Sequence, residues 1–233
     1  MAGRLRIVHL YPKELNLYGD SGNVLCIKRR LDLRNIKYEI IPVGCGDTLC
    51  DFDLMIIGGG QDREMLSILS DLKRKAEMIA YSVNIGKTVF AVCGGFQLLG
   101  EYYKSADASF MKMTGALPFY TVSERPRMIG NLVFETPFGT AAGFENHSGR
   151  TYLSYGLSPL GKVISGFGNN GEDSGEGLFY KNTFATYAHG PLLPKNPNLA
   201  DELIKRALGC DGLKELDDSL ENRCRLSLIR KFS

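Results

Sequence analysis

A layered α/β sandwich around a mostly parallel sheet is the fold class that this sequence predicts, and three observations carry the prediction. Short runs rich in branched apolar residues alternate with segments of helical period, an order that favours parallel pairing. Two of those runs, Phe52–Ile57 and Thr88–Val92, are mostly apolar, as strands covered on both faces are. Three of the runs end in glycines or a Gly-Pro break, which gathers tight turns on one rim of the sheet.

Taken in order, Leu5–Leu10 reads as the first strand and Tyr11–Asn23 as a polar, glycine-containing loop. Val24–Leu33 follows as a helix, with Leu25, Arg29 and Leu33 one turn apart. Tyr38–Val43 is the second strand, and Phe52–Ile57 the third, ending in Gly58-Gly59-Gly60. Arg63–Ile85 has helical period, and Leu66, Leu69, Leu72, Ala76, Ile79 and Val83 form its expected core stripe. Thr88–Val92 is a buried strand that turns at Cys93 into a helix beginning near Gly95. From Gly115 to Tyr152 the helical period is lost, and short strands and turns are expected. Val163–Phe167, Gly177–Phe179 and Thr183–Tyr187 read as further strands and Leu199–Leu208 as a helix. After Gly209 a charged, leucine-spaced tail runs to Ser233 and reads as a surface helix, either a docking element or a solvated face. The expected organisation is one domain over 1–209 and a helical tail over 210–233.

A chain of 233 residues with 44% hydrophobic content is long enough to bury a full core. Lys and Arg number 28 against 26 Asp and Glu, and the net charge of +2 carries no nucleic-acid signature. No apolar run approaches the ~20 residues of a membrane span, and Met1–Tyr11 has no charged-then-apolar leader, so a cytoplasmic protein is expected. The six scattered cysteines suit reduced thiols better than a disulfide framework. Cys45 and Cys50 have no further ligand pair nearby, so no metal is expected. Gly86-Lys87-Thr88 imitates the end of a phosphate loop, but Tyr81 stands where the first glycine is needed and the triplet precedes a strand. No ATP site is expected in this chain.

Cys93 carries the chemistry that the pattern points to. A sharp strand-to-helix turn tolerates only small neighbours beneath an exposed side chain, and Gly94-Gly95 meet that need. A helix N-terminus contributes only ~0.3–1 kcal/mol toward forming a thiolate, so a second group has to help. His189 repeats the arrangement: an apolar strand runs into it and Gly190-Pro191 breaks the chain, which places it on the same rim. His9 lies inside a strand and His147 in an expected polar loop, so both are poorer base candidates. Read alone, Cys93 is equally a small buried hydrophobe at a strand end, and Gly58-Gly59-Gly60 is a ligand-approach loop, a phosphate loop or a flexible turn.

Together, Cys93-Gly94-Gly95-Phe96-Gln97-Leu98-Leu99-Gly100, Gly58-Gly59-Gly60 and Tyr187-Ala188-His189-Gly190-Pro191 resemble the class I (triad) glutamine amidotransferases, within them the cobyric-acid-synthase-like branch. The loop from Tyr11 to Asn23 and Glu145-Asn146-His147-Ser148-Gly149-Arg150-Thr151 resemble the GatD-type glutaminase subunits of MurT/GatD lipid II isoglutaminyl synthases. The resemblance covers about Leu5 to Leu208 and implies a three-layer, flavodoxin-like fold with glutaminase activity. It implies Cys93 as nucleophile, His189 as acid and base, and backbone N–H groups of Gly59, Gly60 and Gly94 as oxyanion donors. Arg127, or Arg125 beside it, would take the α-carboxylate of L-glutamine. Gln97 would line the pocket or pack within its helix. No cofactor is implied in this chain: ATP and metal would belong to a MurT-like Mur ligase partner that amidates the D-glutamate α-carboxyl of lipid II. Two features depart from the family pattern. Ala91 stands where most of these elbows have glycine, and the glutamate expected two residues after the histidine is replaced by Pro191. The orienting acid is then missing, contributed from elsewhere in the fold, or supplied by a partner. Glutaminases serving other acceptors such as a corrinoid acid, a stand-alone cysteine hydrolase and a silent interaction module remain open alternatives.

Overall fold

The computed structural model describes residues 4–232, so Met1–Gly3 and the final Ser233 of the tail lie outside the described residues. From the amino end, β1 (Leu5–Leu10) leads through a 3-10 turn (Leu17–Gly19) into α1 (Ser21–Asp32). β2 (Tyr38–Val43), β3 (Leu54–Ile57), α2 (Asp62–Asn84), β4 (Thr88–Val92) and α3 (Gly94–Leu98) follow. The chain then builds β5 (Tyr102–Lys104), β6 (Phe110–Lys112), β7 (Phe119–Thr136), β8 (Gly139–Leu153), β9 (Gly161–Ser165) and β10 (Gly175–Glu176). It closes with β11 (Leu178–Tyr180), β12 (Thr183–Thr186), α4 (Pro197–Leu208) and α5 (Ser219–Phe232).

The first sheet has the order β11-β12-β4-β3-β1-β2 and is parallel except for the antiparallel β11 edge. β3 and β4 at its centre are buried at every position, as their unbroken apolar runs require. The chain moves one way across the sheet from β1 to β2 and the other way from β3 to β4, so right-handed crossovers set α1 and α2 on opposite faces. α4 packs against α1 and covers β3 and β4, completing the sandwich. Parallel strands point their carboxyl ends to one rim, where β4 delivers Cys93 and β12 leads to His189.

Three local readings change. The expected short strands between Gly115 and Tyr152 are two long strands: β7 and β8 pair antiparallel over almost their whole length in a second six-stranded sheet, broken by a register shift between Ser123 and Met128. In α2 the expected stripe holds at Leu72, Ile79 and Val83, which are buried, but in the first two turns Met65 and Ile68 point inward instead, leaving Leu69 half-buried and Leu66 53% exposed. Asp71 and Lys75 share the inward face. They turn inward as a buried ion pair, and Asp71 accepts from the Tyr11 hydroxyl and the Gly46 N–H while Lys75 reaches Gly44 O. The inward face of the helix therefore carries a satisfied polar pair beside its apolar side chains.

The tail is helical only over Ser219–Phe232, and no residue of that helix is fully buried. Gly209 ends α4 in the left-handed conformation, as a helix C-terminal glycine does. The segment between the two helices is pinned by a charge cluster. Arg30 bonds Asp201 and Asp218, and Arg34 bonds Asp201 and the Lys214 carbonyl. Among the described residues no helix is long and apolar enough to cross a membrane.

Candidate active site

Cys93 joins β4 to α3 with φ 49° and ψ −107°, a left-handed backbone that is strained for a residue with a Cβ. Its N–H donates to Thr186 O at 2.8 Å, so the neighbouring strand β12 holds the turn in place. The glycines beneath it are required by contact. A Cβ on Gly94 would lie 2.8 Å from Gly60 N and O, and one on Gly95 would lie 2.7 Å from Gly58 O. The elbow and the glycine loop after β3 are therefore pressed backbone to backbone.

Gly59 marks where the catalytic side chains converge. A Cβ there would meet His189 Cε1 at 2.7 Å, Asp20 Oδ2 at 2.9 Å and Cys93 Cβ at 3.3 Å. His189 lies three residues past β12 and is fixed by a two-way bridge to β8, donating to Phe144 O at 2.7 Å and accepting from Phe144 N–H at 3.3 Å. Its Nδ1 stands 3.3 Å from Asp20 Oδ2 and 3.4 Å from Oδ1, with both side chains fully buried. Nε2 has no hydrogen-bond partner among the described residues and is the nitrogen left for the adjacent Cys93. Burial by itself pushes the imidazole down, but the Cys93 sulfur and then the Asp20 carboxylate outweigh it and push the ring up to about 10.

Asp20 is the residue that sequence reasoning missed. A carboxylate placed to orient His189 comes from within this chain, 169 positions before the histidine, at the start of α1. Along the sequence it is one polar residue of the loop Tyr11–Asn23, which hid it. The usable signal was its place in a loop at the carboxyl end of a parallel strand. Asp20 Oδ2 also accepts the Gly59 N–H at 2.7 Å. That bond corrects the reading of Gly59 as an oxyanion donor, because its N–H is already committed. Gly60 N–H makes no backbone or side-chain hydrogen bond among the described residues, and Gly94 N–H opens α3 without an intrahelical acceptor. Both lie beside Cys93.

Cys93 borders a small pocket of about 30 Å³ together with Gly60, Gln97, Arg127 and Asn146–Gly149. Larger clefts of about 640 Å³, one by Tyr81 and Tyr155 and one by Leu25 and Leu216, do not include Cys93, which opens onto the smaller space. Arg127 reaches it from the β7 side of the register shift, whereas Arg125 is exposed and does not line it. The Arg127 guanidinium donates from Nε to Asn146 Oδ1 at 2.7 Å, from Nη2 to Asn146 O at 3.0 Å and from Nη1 to Ser148 Oγ at 3.1 Å. Gln97 is buried, and its Nε2 donates to the Tyr187 hydroxyl at 3.1 Å, the end of a chain through Thr151 to Thr121.

His147 is not in a polar loop. It sits on β8 at 2% exposure, stacked on Tyr187 at 3.7 Å with Nδ1 at 2.8 Å from Gly149 O, and burial pushes its imidazole down. It is a wall of the site. Among the described residues no group of three or more His, Cys, Asp or Glu is placed to hold a metal ion.

A strand-to-helix cysteine, a histidine just past the adjacent parallel strand and a glycine loop packed behind them define a class I glutamine amidotransferase fold. The solved structure of PurLQS from Thermotoga maritima shares it, with a TM-score of 0.58 at 17% identity over 89% of this chain and 99% of that one. Residues 6–197 match the CobB/CobQ-like glutamine amidotransferase domain, and the chain belongs to that family. It is 39% identical, over 97% of its length and 95% of the relative's, to the lipid II isoglutaminyl synthase (glutamine-hydrolyzing) subunit GatD of Staphylococcus aureus. The subunit of the same name from Streptococcus pneumoniae is 41% identical over 88% of this chain and 81% of that protein.

Proposed function

We propose that this chain is the glutamine-hydrolysing subunit of a lipid II isoglutaminyl synthase. In this reading it makes ammonia for a MurT-like, ATP-dependent ligase partner that amidates the D-glutamate α-carboxyl of lipid II. The observation that carries the reading is the placement of Cys93 on a strained elbow beside a buried His189, whose other nitrogen faces Asp20. The subunit names of the relatives in S. aureus and S. pneumoniae support the acceptor and the need for a partner. The division into an amidotransferase domain over 1–209 and a tail over 210–233 belongs to the same proposal.

The Cys93 sulfur attacks the side-chain carboxamide carbon of L-glutamine, and the oxygen takes up the negative charge of a tetrahedral intermediate. Gly60 and Gly94 N–H groups hold that oxygen, each donor contributing roughly 3–4 kcal/mol in the transition state. His189, protonated beside the sulfur and held by Asp20, gives its Nε2 proton to the departing nitrogen, and the C–N bond breaks to release ammonia and a thioester. The neutral imidazole then takes a proton from water, the resulting hydroxide attacks the thioester, and the C–S bond breaks to return Cys93 and glutamate. Arg127 binds the α-carboxylate in a two-pronged contact, which favours free glutamine over a glutamine residue within a peptide. ATP and its metal ion act on the ligase subunit.

Labelling with a glutamine-mimicking diazo-ketone, read by peptide mass spectrometry with and without the ligase partner, tests this. The expected result is a single adduct on Cys93 that glutamine suppresses, together with glutamine hydrolysis that Cys93→Ala abolishes. Absence of an adduct in both preparations would sink the proposal.

A further inference from the structure

A path of two hydrogen-bonded links and one ring contact runs from Arg127 to His189 through residues that the chemistry above does not use. Asn146 takes two of the Arg127 nitrogens, on Oδ1 and on its carbonyl. Its Nδ2 donates onward to the Tyr18 hydroxyl. The Tyr18 ring stands edge-on to the His189 imidazole, with centroids 5.1 Å apart and planes at 72°. Tyr18 is 43% exposed while His189 is 0% exposed, so the tyrosine covers the imidazole on its outer side.

Tyr18 is also held in an uncommon conformation, φ 55° and ψ 22°, in the middle of its turn. The turn is fastened on both flanks: Leu17 N–H donates to Gly59 O at 3.0 Å and Ser21 N–H to Asn16 Oδ1 at 2.8 Å. Tyr18 is thus an aromatic residue in an uncommon backbone conformation between two fastened ends, with one side-chain bond tethering its tip.

The pocket at Cys93 holds about 30 Å³, room for one or two waters, and glutamine is several times larger. The N–H groups that would receive its carboxylate already have the Asn146 and Ser148 oxygens. A two-pronged contact on the Nε–Nη2 edge of the guanidinium therefore needs an exchange of partners with Asn146. A carboxylate wins it over a neutral amide oxygen because its hydrogen bonds to a guanidinium are charge-assisted.

We propose that Tyr18 and Asn146 form a latch that the substrate carboxylate opens. This rests on the glutamine-hydrolysis reading above. The carboxylate displaces Asn146 from Arg127, the freed Asn146 lets go of the Tyr18 hydroxyl, and the released ring admits the substrate and closes again beside His189. Tyr18 is a positioning residue for the general acid and base, and Asn146 is the sensor of an occupied Arg127. An amide without the α-carboxylate leaves the latch shut.

The test uses the full chain with Tyr18→Phe, which keeps the ring and loses the tether, and Tyr18→Ala, which loses both. Alkylation of Cys93 by iodoacetamide, measured without glutamine, is expected to speed up about 5-fold in Tyr18→Phe, and the KM for glutamine to fall by a similar factor. Tyr18→Ala is expected to lower kcat about 10-fold while KM stays low, a split that a simple loss of folding would not produce. Equal alkylation rates and equal KM in Tyr18→Phe and the unaltered chain would overturn the latch. Failure of the unaltered chain to hydrolyse glutamine, alone or with its ligase, would instead overturn the underlying reading, and the alkylation rates would still report on the latch.

Discussion

Cys93, backed by His189 and Asp20, stands on one side of the pocket, and Arg127 with Asn146 and Ser148 lines the other. The first three are buried and come from loops at the carboxyl ends of β4, β12 and β1, with most of their polar atoms committed to one another or to the Gly58–Gly60 loop. Arg127 is exposed and sits beside an interrupted stretch of an antiparallel pair, and its partners are neutral oxygens. The difference separates two jobs. Where a hydrogen bond is shielded from water, losing one partner leaves a buried group unsatisfied, so the geometry has one solution. Where water can compensate, partners exchange easily, which suits the carboxylate-binding role proposed for Arg127.

The sharpest way to break this comparison is Asp20→Asn. A neutral amide cannot hold the imidazolium and accept the Gly59 N–H as one carboxylate does, so kcat is expected to fall about 10²–10⁴-fold with little change in KM. The His189 midpoint, followed by NMR, is expected to drop from its raised value near 10, because one of the groups holding the charged ring has gone. A raised histidine stabilises the fold fully below its unfolded value of ~6.5 and loses that contribution as pH climbs through about 10. The Asp20→Asn protein should therefore lose less stability across that interval. If kcat stays within a few-fold of the unaltered chain, the buried side is not the demanding one.

Glu176 sharpens the comparison at the seam between the two sheets. It lies on β10 of the second sheet, and its Oε1 accepts from the Thr186 hydroxyl at 2.5 Å and from Tyr187 N–H at 2.9 Å, on the segment leading to His189. Burial pushes its carboxyl up to about 7, and Oε2 has no hydrogen-bond partner among the described residues. The sign follows from the raised value: the protonated side chain is at full benefit below ~4.5, and stability is lost as pH rises through about 7. Urea unfolding should show that slope, amounting to roughly 3 kcal/mol at most. Glu176→Gln keeps an acceptor for both donors and should flatten the slope. An unchanged slope would assign it to other groups.

Arg127→Met is expected to have the smallest effect of the three. Losing a charge-assisted pair should raise KM for glutamine about 10- to 100-fold, the equivalent of ~1.5–3 kcal/mol, with kcat within a few-fold. Because the side chain is exposed, the melting temperature should move little. A fall in kcat as large as that of Asp20→Asn would mean that both sides are equally rigid.

Sequence alone determined the parts that obey local rules. β4 and β12 are neighbours in matched register, with Val92 opposite Thr186, so chain continuity alone carries Cys93 and His189 to the same rim. Gly94 and Gly95 were legible for a similar reason: a tight turn leaves no room for a Cβ whatever lies around it. Arg127 became a candidate through family resemblance, since nothing in an isolated β-ribbon distinguishes it from Arg125. Only the tertiary structure decided Asp20, the engaged Gly59 N–H and the inward turn of Asp71 and Lys75. Each answers to a partner that sequence spacing does not reveal: His189 for Asp20, Asp20 for Gly59, and Tyr11 with Gly44 and Gly46 for the α2 pair. Apolar burial follows periodicity and can be read along the chain, whereas a buried polar group takes whichever partner the finished fold brings within hydrogen-bonding distance.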